Sequence, residues 1–291
     1  MTVAALAFIV FSALMHALWN FQVKRSSDKT VFIWWMFIAS SLLLNLAVLV
    51  FPLPFPMPSP LTLLLAATGA VCFVLYHWCN GVAYSYGDLS LSYPLAQTSM
   101  LYVPVWGGLI LHEQLSSYGV AGIACVAAGA YCAQLPDLSL KTLLRPLYSW
   151  RQPAVKYALA AGFIYSIGSI IDKSGVNSYH PFYFTYLLVM IMLVIMSANM
   201  CRRCYRGRIM AEWRSNRKLI LASGPVMLGS FIAFRYGLSL APVSYAVPAR
   251  QVNVLFGVAI GVLFLREPCA GIRFMAAALV VLGVMFIQLG G

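Results

Sequence analysis

Ten stretches of about 20 mostly apolar residues follow one another along the chain with little between them: 2–23, 31–53, 61–84, 89–111, 115–135, 154–171, 182–200, 219–240, 244–265 and 270–289. A stretch of that length crosses the roughly 30 Å hydrocarbon core of a bilayer as a helix. In lipid every backbone N–H and C=O must be satisfied within the protein, so spans are helices or closed barrels. The sequence therefore predicts an all-α membrane protein with ten transmembrane helices. With 62% hydrophobic and 9% charged residues, its solvent is lipid. The longest connections, 136–153 and 201–218, leave no room for a soluble catalytic domain, which places function inside the bundle. Met1-Thr2-Val3-Ala4 has no basic leader and the apolar run after it is long, so the first stretch reads as a helix and not as a secretory signal. The Pro-rich run from Phe51 to Pro58 ends the second span as an interfacial connector.

The second constraint is a repeat. Ser90, Pro94, Gln97, Gly107, Glu113, Gly129 and Gln134 recur 154 positions later as Ser244, Pro248, Gln251, Gly261, Glu267, Gly283 and Gln288. This divides the chain into a first five-helix repeat, 1–135, a basic connecting loop, 136–153, and a second five-helix repeat, 154–291. An odd number of spans per unit makes the second copy enter the membrane in the opposite sense, so the two repeats are inverted. Carriers of this design hold their substrate near the midplane, between the repeats, and expose it to each side in turn.

Orientation follows from Lys and Arg, which are retained on the cytoplasmic side. Of the 19, all except Lys173, Arg235 and Arg250 fall on connections one–two, five–six, seven–eight and nine–ten. Both termini are then extracytoplasmic. The net charge of +12 reads as a topology signal with attraction to anionic membrane lipid, and nucleic acid is not an expected partner.

The opening Ser12-Ala13-Leu14-Met15-His16-Ala17-Leu18-Trp19-Asn20, followed by Lys24-Arg25, resembles the start of an EamA-type member of the drug/metabolite transporter (DMT) superfamily. So do the paired segments from Ser90 and Pro94 to Leu111-His112-Glu113 and from Ser244 and Pro248 to Leu265-Arg266-Glu267. The resemblance spans nearly the whole chain. It implies a ten-helix carrier whose cavity is lined by spans one, three, four, six, eight and nine, in a bacterial cytoplasmic membrane. It also implies export of amino acids or other small metabolites, often coupled to an ion gradient. The opening is similar to a bacterial branch that includes membrane proteins associated with phosphonate utilisation. One departure stands out: many relatives keep both termini in the cytoplasm, whereas the charge distribution here places them outside.

Arg250 is the sharpest candidate. It lies about six residues into the ninth span, where a lipid-facing guanidinium costs about 2.5–3.5 kcal/mol on insertion scales, so it should face the interior. Arg235, near the end of the eighth span, approaches the same face. Two guanidiniums on one cavity favour a carboxylate or phosphonate-like group. Alternatively, Arg235 snorkels to the interface and Arg250 pairs with Asp172 or with carbonyls. His16 and Asn20 sit one turn apart on the first span beside Trp19, with Tyr165 and Ser169 as approximate counterparts on the sixth. His16 is a candidate for a coupling proton or a substrate contact, with a hydrogen-bonded structural histidine as the alternative. Tyr76, Trp78, Asn80 and Tyr84 on the third span read as cavity lining or as packing. Pro94 and Gln97, like Pro248 and Gln251, share a kinked face that binds substrate, acts as a hinge, or shapes packing while the glutamines satisfy each other.

The acidic residues suggest no carboxylate proton relay. Asp28, Asp137 and Glu212 fall in connections, Asp88, Glu113 and Glu267 at helix ends, with the two glutamates anchoring turns into the following helix, and only Asp172 approaches the cavity. Cys201 and Cys204 form a lone C-x-x-C, too little for zinc. No catalytic constellation or nucleotide loop is present. The reading is a secondary transporter, not an enzyme, with no metal or cofactor. Its partners are a small polar metabolite (an amino acid or another anionic or zwitterionic solute), a coupling proton or other ion, and membrane lipid. The alternative is a lipid-linked substrate translocase, flippase-like, on the same fold.

Overall fold

The computed structural model describes residues 1–51, 55–86, 95–133, 135, 137, 139–144, 150–257, 259 and 270–290. Ser90, Pro94, Gln134, Gly261 and Glu267 lie outside the described residues. All regular structure among those described is helical: α1 (Val3–Arg25), α2 (Lys29–Val50), α3 (Pro60–Tyr86), α4 (Ser99–Ile110), α5 (Ser117–Cys132), α6 (Pro153–Ser178), α7 (Pro181–Met200), α8 (Arg206–Leu240), α9 (Val243–Ala249) and α10 (Ala270–Gly290), with a single helical turn at Leu140–Leu143. Seven of these are long and apolar enough to cross a membrane, and α4 and α5 are shorter apolar helices.

Local sequence sets the ends. The Thr2 hydroxyl accepts from the Ala5 N–H, the Asp28 carboxylate from Val31 and the Ser116 hydroxyl from Gly119, each satisfying an orphan donor of a first turn. Pro153 and Pro181 open α6 and α7, where the missing N–H costs nothing. Two boundaries differ from the sequence expectation. α6 runs on to Ser178 instead of ending at 171. α8 begins at Arg206 and not 219, but its backbone leaves the helical region at Asn216, so it is two helical pieces, and the one that crosses the bilayer starts just after that kink, close to 219. Its basic first turns lie below a kink at Asn216, which has φ −126° and ψ 20°.

The helices pair as the repeat requires. α1 packs on α8 and α3 on α6; α2 packs on α8 and α3 on α7; α5 packs on α10. Shifting by 154 converts the first member of each of the first two couples into the second. At the α5–α10 crossing, a methyl on Gly122 would lie 2.6 Å from the Gly283 carbonyl oxygen, and one on Gly129 would lie 2.7 Å from the Ala276 carbonyl oxygen. Gly122 and Ala276, like Gly129 and Gly283, are 154 apart, so the two contacts exchange partners. Such backbone approach is available only where side chains are small.

The fourth and ninth segments are interrupted at matching points. Helix is present at Leu95 and Ala96, turns at Gln97 and Thr98, and resumes at Ser99. On the other side α9 passes into a 3₁₀ turn at Arg250–Val252. Pro248 lies inside α9 and has no N–H to give to the preceding turn. These breaks bring the equivalent glutamines together: Gln251 Nε2 donates to Gln97 Oε1 at 3.3 Å.

Candidate functional site

α1, α3, α6, α8 and the α9 break converge on one cluster. From α9, Arg250 donates from Nη1 to the Tyr165 hydroxyl of α6 at 3.2 Å and from Nη2 to the Ser230 hydroxyl of α8 at 3.1 Å. Its guanidinium lies over the Phe234 ring, 4.2 Å from the centroid. Its Nε is buried and has no partner. Ser230 is itself fixed: its hydroxyl donates to the Ser12 carbonyl, and the Ser12 hydroxyl donates to the Ser230 carbonyl, locking α1 to α8. With α9 a 7-residue helix, Arg250 sits about 10 Å along the ninth segment.

Aromatic rings continue the cluster. His16 and Trp19 of α1 have ring centroids 4.7 Å apart, and Trp19 lies 6.1 Å from His77 of α3 and 5.8 Å from Phe231 of α8. Tyr76 lies 4.9 Å from Tyr165, closing the path back to Arg250. His16 Nδ1 is buried without a partner, and both Arg250 and His77 are within electrostatic reach of that imidazole. Gln251 Oε1 and Asn80 Oδ1 are likewise buried and unpartnered. Unmet polar atoms are uncommon in folded proteins; Gln22, Asn253 and Gln288 carry the others, while those of His16, Arg250 and Gln251 belong to this cluster.

Arg235 and Asp172 do something else. Arg235 Nε donates to Asp172 Oδ1 at 2.8 Å, with the two residues only 3% and 1% exposed. Arg235 therefore does not snorkel, and the partner of Asp172 is Arg235 instead of Arg250. The aspartate neutralises one of the two guanidiniums in place. Among the described residues, Arg250 has no carboxylate within ion-pair distance.

The remaining expected site residues are placed as follows. Tyr76 and Asn20 are half-buried, Asn80 and Pro248 are buried, and Pro94 is outside the described residues. Trp78 is 57% exposed and packs on Tyr157, so it faces away from the cluster. At the offset of 154, His16 falls on Ile170 and Asn20 on Ser174. Tyr165 thus reaches the cluster from a different register than the one suggested by pairing it with His16. Two polar residues of the cluster were missed, Ser230 and His77, as were the Phe231 and Phe234 rings. Ser230 gives no sequence signal. His77 does: Phe73, Tyr76, His77 and Asn80 are spaced i, i+3, i+4 and i+7, one face of α3, and Trp78 is off it.

A second polar arrangement stands at the α8–α9 turn. His112, with φ 55°, ends the fourth helix in the left-handed region, and the Glu113 N–H returns to the Gly107 carbonyl. This turns the Glu113 carboxylate onto the start of α9, where it accepts from the N–H groups of Val243 and Ser244 and from the Ser244 hydroxyl. Glu113 therefore anchors the opposite repeat, not the turn into the next helix. Lys173 donates to the carbonyls of Leu238 and Ala241, capping the end of α8. A cleft of about 410 Å³ opens here between Leu111, Asn177, Ala241 and Pro242. Both of its charged side chains are already spent on backbone groups, so it offers a solute little to bind.

Cys201 and Cys204 are exposed free thiols, and no cluster able to hold a metal occurs among the described residues.

The comparisons agree with this architecture. A solved crystal structure superposes with a TM-score of 0.74 over 98% of this chain and 95% of the other, at 15% identity, which is a likeness of fold. A comparison with curated proteins gives no match. The sequence matches the EamA-like transporter family twice, over residues 3–134 and 152–289. The chain belongs to the EamA-like transporter family, multi-pass membrane proteins of the drug/metabolite transporter type.

Proposed function

We propose that this protein is a secondary transporter that moves a small anionic or zwitterionic metabolite across a bacterial cytoplasmic membrane by alternating access. Ten spans form two inverted repeats, 1–135 and 154–291, joined by the basic connection 136–153, and both termini are extracytoplasmic. The exchanged contacts at the α5–α10 crossing and the meeting of Gln97 with Gln251 support the inversion. The grouping of Lys and Arg on connections one–two, five–six, seven–eight and nine–ten supports the orientation.

One observation carries the substrate class. Arg250 is held between two hydroxyls and a phenyl ring, with no carboxylate among the described residues within ion-pair distance, next to unpartnered His16 and Gln251 atoms. A cation so placed in a low-dielectric interior is expensive unless an anion joins it. An incoming carboxylate or phosphonate supplies that charge and takes the free Nε donor. His16, Trp19, Asn20, Tyr76, Asn80 and Tyr165 line the rest of the solute site. Pro94, Gln97, Pro248 and Gln251 serve the hinge between repeats, and Arg235 holds the site's wall through Asp172.

The test is a thermal-shift screen of amino acids, organic acids and phosphonates on the purified protein, followed by uptake into proteoliposomes. Arg250→Ala should remain folded and inserted yet lose transport of the hit. Uptake equal to that of the unmodified protein removes Arg250 from the site.

A further inference from the structure

Two of the chain's 4 histidines, His16 on α1 and His77 on α3, flank the single indole of Trp19. Nothing in the proposed transport of an anion uses His77. The groups facing this pair can be gathered helix by helix. α9 brings Arg250; α6 brings Tyr165, with Asp172 behind it; α8 brings Arg235, already bonded to Asp172. α3 brings Tyr76; its Cys72 packs at Gly168, and Cys79 sits in the separate cluster with Val155 and Ala158. Beyond Lys29, α2 carries no titratable side chain, and Tyr183 and Tyr186 of α7 pack on Phe55. The two carboxylates buried among the described residues are committed elsewhere. Asp172 holds Arg235, while Glu212 accepts from the Asp28 N–H and from Asn216. Among the described residues, the imidazoles are therefore the groups near Arg250 left to take up and release a proton.

We propose that His16 and His77 form a proton-holding pair whose occupancy is coupled to the anion at Arg250, so that proton and anion cross the membrane together. This rests on the reading of Arg250 as the anion contact. The coupling is Coulombic. With the site empty, the fixed guanidinium opposes a second positive charge on His16. When an anion arrives, the local field reverses sign and the imidazolium becomes favourable, with the face of Trp19 adding a cation–π attraction. By reciprocity, a proton on the pair strengthens anion binding by the same factor. Anion and proton then enter together and leave together, which is the condition for symport.

Trp19 also reports the proton, because an imidazolium quenches a neighbouring indole. In the purified full chain, the pH titration of fluorescence, minus that of Trp19→Phe, isolates this residue. No solute is needed, because a carboxylate installed at position 250 stands in for the bound anion. The quench midpoint should move to higher pH from the native protein to Arg250→Gln and again to Arg250→Glu, by about one pH unit in all. Arg250→Lys should leave it in place. His77→Asn with His16→Asn should abolish the step. A midpoint common to the native protein and Arg250→Gln overturns the coupling, even where Arg250→Glu does not fold. The anion reading fails separately, when the screen hit is taken up equally by Arg250→Ala.

Discussion

At the offset of 154, the second repeat's Asp172, Lys173, Arg235 and Arg250 stand where the first repeat has Leu18, Trp19, Gly81 and Ala96, whereas Gly129 and Gln97 recur unchanged as Gly283 and Gln251. Residues that let backbones approach, or that meet across the repeat boundary, have stayed alike. Residues that carry interior charge have diverged completely. The first repeat supplies rings and imidazoles instead: His16, Trp19, Tyr76 and His77. Packing is thus a property of the duplicated pair, and chemistry is a property of each copy. A carrier with identical halves would bind alike in both senses; here the Asp172–Arg235 pair and the Lys173 cap bind α6 to α8, with no ionic counterpart at the equivalent α1–α3 positions.

The largest effect should come from breaking that charged difference one residue at a time. Removing one member of a buried pair strands the other, at about 3–5 kcal/mol. Asp172→Leu is the harsher case, because it strands the buried Arg235 guanidinium and also removes a negative charge within electrostatic reach of Arg250. Arg235→Gly strands Asp172. The double variant Asp172→Leu with Arg235→Gly rebuilds the first repeat's residues and removes both charges, so it should be markedly more stable than either single change. Thermal unfolding of the four proteins in detergent gives the double-mutant cycle. Additive losses would mean that the pair is not coupled.

This pair also marks the limit of what the sequence discloses. Hydropathy locates the helices because lipid permits little else, and the recurrence of Gly and Gln locates the repeats. Arg250, His16, Trp19, Tyr76 and Tyr165 were legible because polar and aromatic groups in an apolar span need an interior. Which arginine takes Asp172 was not legible, since that depends on the rotation of α6 against α8, and no local pattern fixes it. The partner of Glu113 lies across the repeat boundary, 130 and 131 positions away, where spacing arguments do not reach. The basic piece of α8 before Asn216 was hidden because its arginines lower the hydropathy of a helix that lies outside the lipid. His77 was legible on the stripe it shares with Phe73 and Asn80.

The shared half of the comparison is tested by glycine. A methyl on Gly122 would meet the Gly283 carbonyl oxygen at 2.6 Å, and one on Gly283 would meet the Gly122 carbonyl oxygen at 2.7 Å. Backbone oxygens cannot swing aside as side chains do, so the helices must part. Gly122→Ala and Gly283→Ala should each cost about 1–3 kcal/mol, and by similar amounts, although they lie in different repeats. Unequal losses, measured by thermal unfolding, would show that this crossing is not shared evenly between the copies.

The smallest effect, and the most local, is expected at the α8–α9 turn. Glu113→Gln keeps the shape of the side chain but removes the charge that receives the N–H groups of Val243 and Ser244, so it should cost roughly 1 kcal/mol, the usual value of a helix cap. Lys173→Met loses the donor to the Leu238 and Ala241 carbonyls and should cost a similar amount. The two groups grip opposite sides of one turn, Glu113 from the first repeat and Lys173 from the second. If the turn is held from both copies, hydrogen exchange at Ala241, Val243 and Ser244 should rise in both variants while the α5–α10 crossing stays protected. Exchange that rises only with Lys173→Met would mean that the second repeat secures its own turn, and that Glu113 merely touches it.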